Sequence, residues 1–115
     1  MKKITYDLLN RLPKVELHCH LDGCIRPQSI IDVAENDNIL LPLNNVIELD
    51  SFLRIGKKRG TLEDYLKKFD ITLSVMQTPN ALVRFAYELI EDVALENIRY
   101  IEVRYSPILL SLIHI

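Results

Sequence analysis

The chain has 115 residues, 49% hydrophobic and 26% charged, with a formal net charge of −2 and a pI near 5.9. That balance is ordinary for a globular domain and offers no basic face to nucleic acid or to an anionic membrane surface. No signal-peptide core precedes Pro13, no apolar run nears the roughly 18–20 residues that span a bilayer, and two cysteines are no disulfide framework; a cytoplasmic protein with free thiols is expected.

In chain order, Lys14–Leu21 (KVELHCHL) alternates, with Val15, Leu17, Cys19 and Leu21 on one face and Glu16, His18, His20 and Asp22 on the other. Gly23 follows, so a strand opens there into a loop. Pro27 suits a first helical position, and Ile30, Ile31, Val33 and Ala34 form the stripe of a helix that ends near Asn36-Asp37-Asn38. Residues 41–60 carry a weaker pattern: Pro42, Asn44 and Asn45 break structure, Ile47–Ile55 allows a short helix, and Gly56–Gly60 (GKKRG) reads as a solvated basic loop. Thr61 and Asp64 fit the Asp-containing form of the capping box, ahead of Leu62, Tyr65, Leu66, Phe69, Leu73 and Met76 at helical spacing. Thr78 and Pro79 open another helix, whose stripe is Leu82, Phe85, Ala86, Leu89, Ile90 and Val93 and which closes near Asn97. Ile98–Tyr105 is a second strand, stopped by Pro107. A long helical connection between two strands implies that they run parallel, because antiparallel neighbours need only a tight turn.

The chemistry concentrates in His18-Cys19-His20. Residues two apart on a strand leave one face with Cβ atoms about 6–7 Å apart, close enough for two imidazoles to meet one metal ion at about 2.0–2.1 Å. Asp22 follows in phase. Taken alone, a His-x-His pair fits two core or surface histidines as well as it fits a metal site. Placement separates the readings: two of the chain's three histidines stand in phase at the end of a first parallel strand, just before Leu21-Asp22-Gly23. In α/β barrels that end of the strands forms the active-site rim. Cys19 is expected to face away from the histidines and pack, and Cys24 to be an ordinary loop thiol. Glu16, Glu102 and Arg104 are expected to form a buried ion-pair cluster joining the two strands.

Three blocks, Leu12–Pro27 (LPKVELHCHLDGCIRP), Thr61–Asp70 (TLEDYLKKFD) and Ile98–Pro107 (IRYIEVRYSP), resemble the adenosine deaminases of the metal-dependent amidohydrolase superfamily, in that family's order and spacing. The resemblance covers the chain from about Leu12 to Leu110. It implies an α/β fold, the N-terminal part of a (β/α)8 TIM-type barrel holding two parallel strands and the helices between them. Since such a barrel takes around 250 residues, residues 1–115 are expected to be the N-terminal third of one domain. The resemblance further implies one Zn2+ held by His18, His20, a third histidine and an aspartate, with His20 also lying against substrate and Asp22 binding the ribose hydroxyl end. Tyr65, Leu66 and Phe69 match positions that wall an apolar part of the family's pocket, although a helix packing on its barrel explains each singly as well.

The implied reaction is hydrolytic deamination of adenosine and 2'-deoxyadenosine to inosine and ammonia in purine salvage, with a glutamate protonating N1. The partner is thus a small molecule, with neither nucleic acid nor membrane expected. Asp22 favours the nucleoside, because related adenine deaminases tend to carry Glu there and the shorter carboxylate leaves room for a ribose. Adenine deaminase, another purine-directed amidohydrolase and a non-catalytic truncated product are the alternatives. The tail Leu110–Ile115 departs from the family, so residues 111–115 are expected to be non-native and His114 is not taken as a ligand. The cytidine-deaminase type of zinc site, with His-x-Glu and Pro-Cys-x-x-Cys, is absent. With the proton-donor glutamate and half of the ligands missing, the 115-residue chain is expected to be inactive by itself.

Overall fold

The computed structural model describes residues 3–54 and 61–110. In order come α1 (Tyr6–Arg11), β1 (Lys14–His20), a 3-10 turn (Leu21–Gly23), α2 (Pro27–Asn36), α3 (Val46–Leu53), α4 (Leu62–Val75), α5 (Pro79–Leu95), β2 (Ile98–Arg104) and a closing 3-10 turn (Pro107–Leu109). The basic loop expected at 56–60 and the tail at 111–115 lie outside the described residues. Among the described residues, no helix is long and apolar enough to cross a membrane.

β1 and β2 pair in parallel, as the long helical connection requires. Their register is not uniform. Lys14 pairs with Ile98, Val15 with Tyr100, Glu16 with Ile101, Cys19 with Val103 and His20 with Arg104, so β1 uses one residue more than β2 between Glu16 and Cys19. In that bulge-like stretch the His18 N–H donates to the Glu16 carboxylate at 2.9 Å. A register shift of this kind leaves a backbone donor outside the ladder, and a side chain two residues back satisfies it.

The helices begin where their caps dictate. Thr61 accepts from the Asp64 N–H while the Asp64 carboxylate accepts from the Thr61 N–H, so the shorter acid completes the reciprocal pair. Thr78 accepts from the Ala81 N–H ahead of Pro79. Asn45, read from sequence as a breaker, is the cap of α3 and accepts from the Ile47 and Glu48 N–H groups. The breaker chemistry and the capping chemistry of asparagine are the same short polar side chain. Helix α1 was not expected; Thr5 caps it and none of its residues is buried. Asn97 adopts φ 58° after α5 and donates its side-chain amide to the Arg11 carbonyl at 2.6 Å, turning the chain into β2.

The core lies between helices α2 to α5 and the end of β1. Ile30, Leu49, Val75, Met76 and Phe85 are its most enclosed members. Of the stripe expected on α5, Phe85 and Leu89 are buried, Leu82 and Val93 are partly buried against the core, and Ala86 and Ile90 are exposed; Ala81 takes their place on the inner side. On β1 the apolar face is covered only at its end, where Cys19 and Leu21 join the core and Val15 and Leu17 stay exposed.

Two arginines fasten the helices. Arg26 at the start of α2 grips the Asp92 carboxylate with Nε and Nη2 (2.7–3.2 Å) and reaches Glu91 at 3.1 Å, tying the loop after β1 to α5. Arg84 of α5 donates to Asp32 of α2 at 2.6 Å and to Ser29 at 3.2 Å. The Gln28 amide at 2.7 Å, then Arg84, hold the Asp32 carboxyl below the usual carboxylate range. A carboxyl depressed by folding contributes stability above its unfolded pKa, and that contribution is lost as pH falls through the folded value. Asp32→Asn is therefore expected to lower stability by about 0.2–1 kcal/mol above about pH 5, with the gap closing in stronger acid. Urea titrations across that range measure it, and a gap undiminished in acid would remove the carboxylate charge from the account.

Candidate metal centre

His18 and His20 leave the end of β1 towards each other. Their Nε2 atoms are 3.0 Å apart and their ring centroids 5.0 Å, with the planes tilted by 34°. As drawn, one imidazole can donate to the other. Two nitrogens bound to a tetrahedral zinc at about 2.0–2.1 Å stand roughly 3.4 Å apart, so a few tenths of an ångström separate this pair from a shared ion. The arrangement fits a divalent metal ligated by nitrogen.

Asp22, on the 3-10 turn, supports that fit. Its Oδ1 is buried without a hydrogen-bond partner and lies 3.9 Å from His20 Nδ1. A buried carboxylate oxygen with no donor is costly, and such orphans mark places where a ligand or ion completes the shell. Among the described residues, no group of three or more His, Cys, Asp or Glu side chains forms a complete metal site. Two imidazoles are half of what protein zinc sites use. His114 lies outside the described residues.

A pocket of about 330 Å³ opens beside the turn, lined by Asp22, Gly23, Ile25, Pro27, Asp50, Leu53, Arg54, Tyr65, Lys68, Phe69 and Thr72. Asp22 is the residue common to the pocket and the histidine pair; the imidazoles themselves do not line it. Tyr65 and Phe69 meet edge to face at 5.2 Å on the α4 side, and the Phe69 ring comes up to Gly23. Leu66 sits on the same helix but outside the lining, 54% exposed. The sequence reading missed Asp50, Arg54 and Lys68. Asp50 and Arg54 form an i,i+4 pair at 2.6 Å, and the Lys68 ammonium caps the Arg54 carbonyl at 3.1 Å. The spacing of Asp50 and Arg54 was the available signal, but it lay in the stretch with the weakest pattern.

The cluster expected between the strands does not form. Arg104 approaches Glu102 of its own strand at 3.8 Å, both half-exposed, and Tyr100 donates to Glu102 at 2.9 Å. Glu16 is taken by the His18 N–H instead. Local hydrogen bonds to an unpaired backbone donor won over a cross-strand pair that would have had to be desolvated. Cys19 does face the core, as expected. Cys24 is more than a loop thiol: its Sγ is 3.2 Å from that of Cys19, and burial together with that partner pushes its pKa up to about 12.

The family model for adenosine deaminase matches residues 13–114. The chain belongs to the adenosine deaminase family. An adenosine deaminase from Clostridium botulinum is 52% identical to it over 99 residues, which are 86% of this chain and 30% of that protein. Among solved structures, an amidohydrolase from Burkholderia ambifaria with bound Zn superposes with a TM-score of 0.70 at 28% identity, over 98% of this chain and 30% of that one. An adenine deaminase from Arthrobacter aurescens gives 0.68 at 26% identity, over 79% of this chain and 27% of that one. The chain thus spans about 30% of the length of the family members it matches. Its two parallel strands and the helices between them are the corresponding part of the family's α/β barrel.

Proposed function

We propose that this chain is the N-terminal third of a single-domain, zinc-dependent adenosine deaminase that converts adenosine and 2'-deoxyadenosine to inosine and ammonia in cytoplasmic purine salvage. The observation that carries the reading is the convergence of the His18 and His20 Nε2 atoms, 3.0 Å apart, beside the unpartnered Asp22 carboxylate. In this reading His18 and His20 hold the metal and Asp22 accepts a hydrogen bond from a ribose hydroxyl. Tyr65 and Phe69 belong to the wall that keeps the nucleoside out of water, with Leu66 beside them on the same helix but outside the pocket. Zn2+ bound there supplies Lewis acidity, bringing the pKa of a coordinated water towards about 7. The remaining ligands and the proton donor for N1 come from the other two thirds of the domain.

The division of labour in this stretch follows from its chemistry. Two imidazole ligands bring no negative charge to the ion. The acid at position 22, set one turn beyond them, is placed to orient substrate and not to neutralise the metal. A carboxylate built to receive a hydroxyl rejects an analogue that lacks it, because its buried oxygen is then left bare.

The test is turnover by a polypeptide extended to the length of its relatives, followed by the ultraviolet change from adenosine to inosine. The expected result is turnover of adenosine and 2'-deoxyadenosine with kcat/KM at least about a hundredfold above that for adenine. Preference for adenine would establish the second reading, which the likeness to the Arthrobacter enzyme supports, and inertness towards every purine would overturn both.

A further inference from the structure

Cys19 stands on β1 between the two histidines with its side chain on the core side, and Cys24 ends the 3-10 turn with its N–H donating to the Leu21 carbonyl at 3.1 Å. Both are free, both are half-buried, and the Sγ atoms are 3.2 Å apart. A disulfide bond is about 2.03–2.05 Å long, so closure needs roughly 1.2 Å of sulfur travel. Six residues of flexible chain would not by themselves hold two thiols in contact. Here the strand end fixes one and the turn hydrogen bond fixes the other.

We propose that Cys19 and Cys24 form a reversible dithiol–disulfide couple, a redox modification site whose closed ring contains His20, Leu21, Asp22 and Gly23. On oxidation the two S–H bonds break, one S–S bond forms, and two protons and two electrons leave. They pass to a peroxide, which becomes two water molecules, or to an external disulfide, which becomes two thiols by way of a mixed disulfide. An external dithiol returns the pair to the reduced state. Intracellular disulfides that form in this way are characteristically transient and regulatory. Since His20 and Asp22 lie inside the ring, the contraction is delivered to them. The couple itself does not depend on the zinc reading.

A polypeptide extended to the length of its relatives, with any further cysteines replaced by serine, is equilibrated in buffers of reduced and oxidised glutathione, quenched by alkylation and weighed by mass spectrometry, in the presence and absence of urea. The expected product is a monomer lighter by two hydrogens with both cysteines protected from alkylation and released by dithiothreitol. Its equilibrium constant is expected to be at least about tenfold larger without urea than with it. An equal or smaller constant in the folded chain, or glutathione adducts and intermolecular dimers alone, would overturn the proposal. The NMR signals of the His20 ring are expected to shift on oxidation in the parent chain and to stay fixed in Cys24→Ser. Signals that ignore the oxidation state would overturn the claim that the ring reaches the site.

Discussion

His18→Ala and His20→Ala combined, in a polypeptide of the relatives' full length, are expected to weaken zinc binding by well over a hundredfold and to abolish deamination. The magnitude has a floor: removing even an outer-shell partner of a metal ligand costs about 10–100-fold in affinity, and here two of the ligands themselves are gone. The loss should come with little damage to the fold. The histidines are exposed among the described residues, His20 by 55% of its side chain, and neither contributes to the core. Metal content after dialysis against a chelator, read beside the urea midpoint, separates the two effects. Unchanged metal content would end the zinc assignment and the deaminase reading with it.

The second large effect is on stability. Phe85→Ala is expected to cost about 3–5 kcal/mol, the range for deleting a buried phenylalanine side chain from a packed interior. Phe85 is 1% exposed and belongs to the same core as Ile30, Leu49, Val75 and Met76. Whole domains are stable by only about 5–15 kcal/mol, so the variant should give up a large share of its stability and unfold at a markedly lower urea midpoint. Ile90→Ala, on the same helix but 51% exposed, provides the comparison and should cost a small fraction of that. Equal effects at the two positions would mean that α5 packs by another face.

Much of this was readable from residue order because the signals were local. The caps at Thr61 and Thr78, Pro27 and Pro79 at first helical positions, and the alternation through β1 are all decided within a few residues. What escaped was decided at a distance or by competition. Phe85 is buried and Ile90 exposed although both sit on the apolar stripe, because only the neighbouring elements determine which part of a broad stripe is covered. Glu16 could pair across the sheet or along its own strand, and nothing in the alternation reveals that the ladder skips beside it. The contact between Cys19 and Cys24 depends on how tightly the turn after His20 winds, which Leu21-Asp22-Gly23 leaves open until the 3-10 geometry is known. Of the site, the histidines and Asp22 were legible as a pattern; Arg54 and Lys68 were not, since their place on the pocket rim comes from α3 and α4 both packing on α2.

The extra residue in β1 between Glu16 and Cys19 works as a phase corrector for everything after it. Side chains on a strand alternate with a period of two, so a change of one residue in length sends each later side chain through to the opposite surface. Losing Leu17 would leave the opposite shift between Lys14 and Val15 uncompensated, strand the amide that Glu16 now satisfies and set the two imidazoles against new neighbours. The register therefore constrains this segment in its length, apart from any constraint on which residues fill it.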